Sequence, residues 1–106
     1  EAPGMLASHY APRARLRLDA RELREGEAGL DFGGRFRAGV GGPVLDLSAR
    51  GDLVEAAARL YFCLRELDAT GAAAIAVAPI PADNIGEAIR DRLARAAAPR
   101  ADPGAK

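Results

Sequence analysis

Four groups of residues in this chain are of the types that do chemistry. His9 is the only histidine and Cys63 the only cysteine. A Cys–His pair makes a nucleophile when the imidazole takes the thiol proton. That needs an exposed thiol beside the ring, and nothing in the spacing brings the two together. A zinc site needs further ligands, and none is grouped with either residue. Cys63 falls between Leu60 and Leu67 of a helical pattern, which predicts a packed core thiol. Asp46, Asp52 and Asp68 lie at or near element ends, where capping and surface charge account for them. Residues 33–43, GGRFRAGVGGP, are the nearest approach to a phosphate cradle. Their glycines run into Pro43 and a strand, whereas a dinucleotide or P-loop site needs strand, glycines and then a helix N-terminus. The expectation is therefore a plain mobile loop. Arg35 and Arg37 are too few to make an RNA-binding Arg-Gly segment. Arg90, Asp91 and Arg92 crowd one helical turn and read as a solvated, salt-bridged face. No catalytic constellation results.

These residues must be carried by a few elements. Residues 51–71, GDLVEAAARLYFCLRELDATG, give the strongest helix signal. Asp52 can cap it, and Glu55 three positions on completes a capping box. Leu53, Ala57, Leu60, Tyr61, Leu64 and Leu67 recur at spacings of three and four, on one face. Glu55 and Arg59 are placed for an i,i+4 pair on the wet side. Gly71 supplies the left-handed stop. Residues 44–47 and 73–78 flank this helix as strands, the second apolar without alternation, as in a strand covered on both faces. A right-handed crossover makes the two parallel.

Residues 15–18 (RLRL) and 30–32 read as two further short strands. Asp19 with Glu22 signals a short helix over residues 19–25. Asn84 can cap a last helix with the stripe Ile85, Ala88, Ile89, Leu93 and Ala96, and Asp91 facing Arg95. The sum is an α/β fold, a small domain with a mostly parallel sheet and helices on its faces, preceded by an extended linker. The linker occupies residues 1–14 and the domain residues 15–98. A Pro-, Gly- and charge-rich tail over 99–106 is expected to be disordered.

Composition sets the outer bounds. A length of 106 residues suits one domain. Hydrophobic content is 49%, but about a quarter of the chain is Ala, which predicts a thin core and closely approaching helices. Fifteen basic residues balance fifteen acidic ones, so net charge gives no argument for nucleic acid or membrane. One cysteine excludes an internal disulfide, and a cytoplasmic location is the default expectation. No apolar run approaches a membrane span and no signal peptide is visible. The opening on Glu1 and Ala2, straight into a Pro-Gly turn, is expected of a piece of a longer or processed protein.

The opening PGMLASHYAP, LSARGDLVEAAARLYFCLRELDATGA from Leu47 and APIPADNIGEAIRDRLARAA from Ala78 occur in that order. Together they resemble the C-terminal domain of the two-domain threonylcarbamoyl-AMP synthases. That family's interdomain linker reads Ser/Ala-Pro-Gly-Met, a short spacer, then His-Tyr-Ser/Ala-Pro. Pro3, Gly4, Met5, His9, Tyr10, Ala11 and Pro12 fall in register with it. Ala11 stands where some relatives have Ser. Asn84, Ile85 and Gly86 stand where relatives usually have Gly-Leu-Gly, and Asn tolerates the left-handed conformation better than most residues.

The resemblance implies a parent enzyme that makes L-threonylcarbamoyl-AMP and pyrophosphate from threonine, bicarbonate and ATP. This is the first step toward threonylcarbamoyladenosine in tRNA. It implies that the chemistry, with ATP and Mg, belongs to an N-terminal YrdC-like domain of the same chain. ATP and L-threonine would then be met through that domain. These 106 residues would form a small Rossmann-like three-layer domain with no catalytic residue and no cofactor of its own; no membrane contact is expected, and the sequence gives no strong direct nucleic-acid signal. The motif from Pro3 to Pro12 is expected to act as a lid over the catalytic cavity, with the domain as its anchor. His9 and Tyr10 would offer donors and an aromatic face, or Tyr10 would anchor on this domain with His9 solvated. The alternative is an independent small-ligand or nucleotide-binding module, using the strand ends after Leu47 and Val77.

Overall fold

A strand made of Ala74–Val77 runs through the middle of the molecule because its side chains are small or β-branched and nearly all buried. In the computed structural model, which describes residues 11–37 and 40–98, the elements are β1 (Arg15–Arg17), β2 (Glu27–Asp31), β3 (Val44–Asp46), α1 (Leu53–Asp68), β4 (Ala74–Val77) and α2 (Asn84–Ala97). The sheet order is β1-β4-β2-β3, and every pairing is parallel. The α/β class and the parallel sheet follow the expectation from sequence.

The strand period of two sorts the sheet's side chains. Ile75, Val77, Ala28 and Leu30 meet Leu60, Leu64 and Leu67 of α1 and Ile89 and Leu93 of α2 in one core. Both helices therefore lie on one face, side by side. Ala76 faces the other way, where Ala20, Leu23 and Phe36 cover it. The layer on that side is turn and loop. The short helix expected over residues 19–25 does not form: Asp19 takes a left-handed φ of 55°. So short a helix cannot nucleate by itself, and the sheet draws Ala20 and Leu23 down as single anchors.

β2 begins earlier than residues 30–32 suggest. Gly29 belongs to it because a Cβ there would come within 2.9 Å of Leu23 Cδ2 and 3.1 Å of Phe36 and Val44 atoms. The missing side chain lets the outer layer touch the sheet. Arg17 on β1 and Glu27 on β2 reach toward each other across β4, where Ala74 and Ala76 leave room. Their contact is bidentate, at 2.8 Å for each bond.

The seam of α1 is rotated slightly from the expected stripe. Ala56 and Cys63 are buried with Leu60, Leu64 and Leu67, while Ala57 is exposed. Tyr61 lies toward α2, where Arg92 stacks over its ring at 5.4 Å and donates to its hydroxyl. In α2, Gly86, Ile89 and Leu93 are buried, and Ile85 and Ala88 are exposed.

Candidate functional site

Two of the places where carboxylates accept from backbone N–H groups bear on what the domain can hold. The first is where the chain enters. Pro12 is fully buried, and Ala14 joins the core. Between them the chain is held by Asp68: its Oδ2 accepts from Arg13 N–H and its Oδ1 from Ala14 N–H, both at 3.0 Å. Asp68 is the last residue of α1. A carboxylate is disfavoured there by the helix dipole, so these two donors give it a reason to be present. Helix termination is left to its neighbours: Thr70 Oγ1 donates to Leu67 O at 2.6 Å, and Gly71 turns at φ 83°.

The second place is the C-terminal end of β2 and β3. Asp31 is buried and accepts from three backbone groups: Phe32 N–H (2.7 Å), Arg35 N–H (3.0 Å) and Phe36 N–H (3.1 Å). Asp46 accepts from Gly33 N–H (3.2 Å), Gly34 N–H (2.9 Å) and Ser48 N–H (3.0 Å). A turn of successive N–H groups is the usual cradle for a phosphate. Here the protein's own carboxylates fill it. The glycine-rich stretch is thus tied at its start by both acids. The N–H groups of residues 32–36 that could cradle a phosphate here are already accepted by Asp31 and Asp46.

The cap of α1 also differs from the simple box. Asp52 accepts from Val54 N–H at 3.0 Å as expected. Glu55 does not reach back to the Asp52 backbone; it accepts from Ser48 Oγ at 2.6 Å, and Ser48 Oγ accepts from Asp52 N–H at 2.9 Å. The buried Ser48 hydroxyl relays the box. Arg59 does not pair with Glu55 as the spacing suggests. It donates to the carbonyls of Asp46 and Leu47, tying α1 to the end of β3.

The remaining candidates have structural partners. Arg90 donates to Ile80 O at 3.0 Å and meets Asp19 at 3.4 Å. Asp91 and Arg95 pair at 2.5 Å. Cys63 is buried, and burial pushes its thiol pKa up, the opposite of nucleophile activation. Asp83, not Asn84, holds the N-cap position of α2, without a side-chain cap bond. Of the linker motif, Ala11 is half-buried and Pro12 buried. Pro3, Gly4, Met5, His9 and Tyr10 lie outside the described residues, as does the tail from residue 99. Among the described residues no helix is long and apolar enough to cross a membrane.

A family model described as threonylcarbamoyl-AMP synthase, C-terminal domain, matches residues 1–98. The chain belongs to this family. Comparisons with curated proteins and with solved structures returned no match. As a C-terminal domain of a threonylcarbamoyl-AMP synthase, it is part of a tRNA-modifying system. The first turn of α2 accounts for the residue types at 84 and 86. Asn84 takes φ 25°, a region that suits glycine, and Gly86 has no space for a Cβ against Pro81 O.

Sequence reasoning missed Asp31 and gave Asp68 only capping and surface charge. Asp68 carried one readable signal, an acid at the wrong end of a helix. Asp31 carried none, since its partners lie in a loop without a pattern.

Proposed function

We propose that this domain is the non-catalytic anchor of a linker that covers the active site of an L-threonylcarbamoyladenylate synthase. Residues 1–14 act as the linker and residues 15–98 as the body that holds its far end. The parent enzyme joins ATP, L-threonine and bicarbonate into threonylcarbamoyl-AMP and pyrophosphate in the cytoplasm. ATP, its Mg²⁺ and threonine bind on the N-terminal catalytic domain of the same chain. The mixed anhydride is prone to hydrolysis, so a closed cover that excludes water preserves it.

The observation that carries this reading is the Asp68 clamp on Arg13 and Ala14 beside buried Pro12. A cover works only if one end is fixed. Pro3 and Pro12 reduce the entropy lost when it closes, and Gly4 permits its turn.

The test is Asp68→Ala in the two-domain parent enzyme. Threonylcarbamoyl-AMP recovered per ATP consumed should fall several-fold, with the excess appearing as AMP, while the melting temperature of the catalytic domain stays unchanged. An unchanged yield would remove the anchor role. Against the nucleotide-binding alternative stands the occupation of the loop N–H groups by Asp31 and Asp46. Calorimetry of ATP against this chain alone checks that alternative, and tight binding at the strand ends would revive it.

A further inference from the structure

A groove of about 570 Å³ is lined by β1, the end strand of the sheet, and reaches the first residues of β4 and β2, Ala74 and Glu27. Arg13, Arg15, Arg17 and Arg24 line it, and Glu27 is the only acidic residue among its lining. Glu27 is already committed. Arg17 holds both its oxygens at 2.8 Å, and Oε1 also accepts from Arg24 N–H at 2.9 Å. Arg13, Arg15 and Arg24 are exposed, and among the described residues none of their side chains makes an ion pair.

The C-terminal end of α2 reaches this groove at Ala97, and its carbonyl end favours a cation there. That accounts for one arginine. Arg13, Arg15 and Arg24 line one concavity with no ion-pair partner among the described residues, and like charges gathered there repel each other. A bound anion relieves that repulsion. We infer that the groove binds a small oligophosphate, two or more linked phosphates, through Arg13, Arg15 and Arg24. Three planar forks offer more donors than one carboxylate has oxygens to accept, and match the several oxygens and charges of a di- or triphosphate. The volume is within the range of small-ligand sites. A nucleic-acid strand presents phosphates too, but a neutral chain lacks the field that gathers a polyanion. This inference is independent of the lid reading.

Calorimetry at low salt tests it, with inorganic pyrophosphate and tripolyphosphate titrated into this chain. Orthophosphate and a single-stranded RNA oligonucleotide are comparison arms. Both linked phosphates should bind, and orthophosphate about tenfold more weakly or less. Arg15→Gln with Arg24→Gln should lose about a hundredfold in affinity, since each of the two charged hydrogen bonds removed is worth about tenfold. Both side chains are exposed, so a melting curve should show the double variant folded. Arg35→Gln, an exposed arginine of the glycine-rich loop, should bind as the unchanged chain does. Raising the salt to about 0.5 M should weaken binding. Failure of both linked phosphates to bind, or equal binding by the folded double variant, overturns the inference. RNA binding without oligophosphate binding also overturns it, in favour of a nucleic-acid surface.

Discussion

Gly86 lies so close to the carbonyl oxygen of Pro81 that a Cβ on it would overlap that atom. Asp83 Oδ1 closes the same space at 3.2 Å. The start of α2 is thus fixed by contact, in place of a side-chain cap. Gly86→Ala should destabilise the domain by roughly 1–3 kcal/mol, the usual cost of overpacking. Asn84→Gly should be neutral or slightly stabilising, because it relieves a positive φ. Urea midpoints of the two variants check both. A Gly86→Ala variant as stable as the parent would mean that the Pro81 carbonyl can swing aside freely.

Asp31 is the post to which the glycine-rich loop is tied. It is buried, and its two oxygens receive three N–H groups. Asp31→Asn replaces one acceptor oxygen with an NH₂ that faces another donor. The expected loss is about 1–3 kcal/mol. Faster hydrogen exchange at Arg35 and Phe36 should accompany it. Exchange unchanged at both amides would show that the loop is held by something else, such as the packing of Phe36.

How much of this was legible depends on where each residue's partner lies. α1 and α2 could be read because their apolar spacing repeats over several turns. β2 could not be read in full, because Glu27 and Gly29 both oppose strand propensity. Each is there for a distant reason: Glu27 for Arg17 across β4, Gly29 for the approach of Leu23 and Phe36. Asp68 meets Ala14 at a separation of 54 residues, which no local pattern can show. Glu55 was read correctly as part of a cap, but its route through Ser48 needed the turn geometry. The linker motif was legible only through resemblance, since no periodicity marks it.

The Arg17–Glu27 bridge gives the fold a defined acid sensitivity. The hydrogen bonds from Arg17 are the leading cause that holds the Glu27 carboxyl below the ordinary carboxylate range, with burial opposing. A carboxyl depressed in the folded state binds fewer protons there than in the unfolded chain. Its stabilisation is therefore present above the unfolded value, about 4.3 for Glu, and is lost as pH falls through the folded value. Asp52 acts in the same direction, chiefly through Val54 N–H. Urea unfolding between pH 7 and pH 3 should show stability falling below about pH 4.3. In Glu27→Gln that fall should be shallower, from a lower starting stability at neutral pH, because Arg17 loses its partner. An identical pH profile in the variant would show that the bridge is not the sensor.

Cys63 should report on unfolding rather than on chemistry. It is buried among the α1 residues of the main core, and burial raises its thiol pKa. The thiolate is the reactive species, so both its access and its fraction are reduced in the folded state. Alkylation by iodoacetamide at mildly alkaline pH should be slow in the native protein. Its rate should rise with urea in parallel with the fraction unfolded. Cys63→Ala should leave the fold intact at a cost on the order of 1 kcal/mol, from one missing sulfur atom. Cys63→Ser should cost more, about 1–3 kcal/mol, because it places a more polar group in the main apolar core. Fast labelling without denaturant would mean that α1 opens locally at its centre. The core would then be looser than its close helix packing implies.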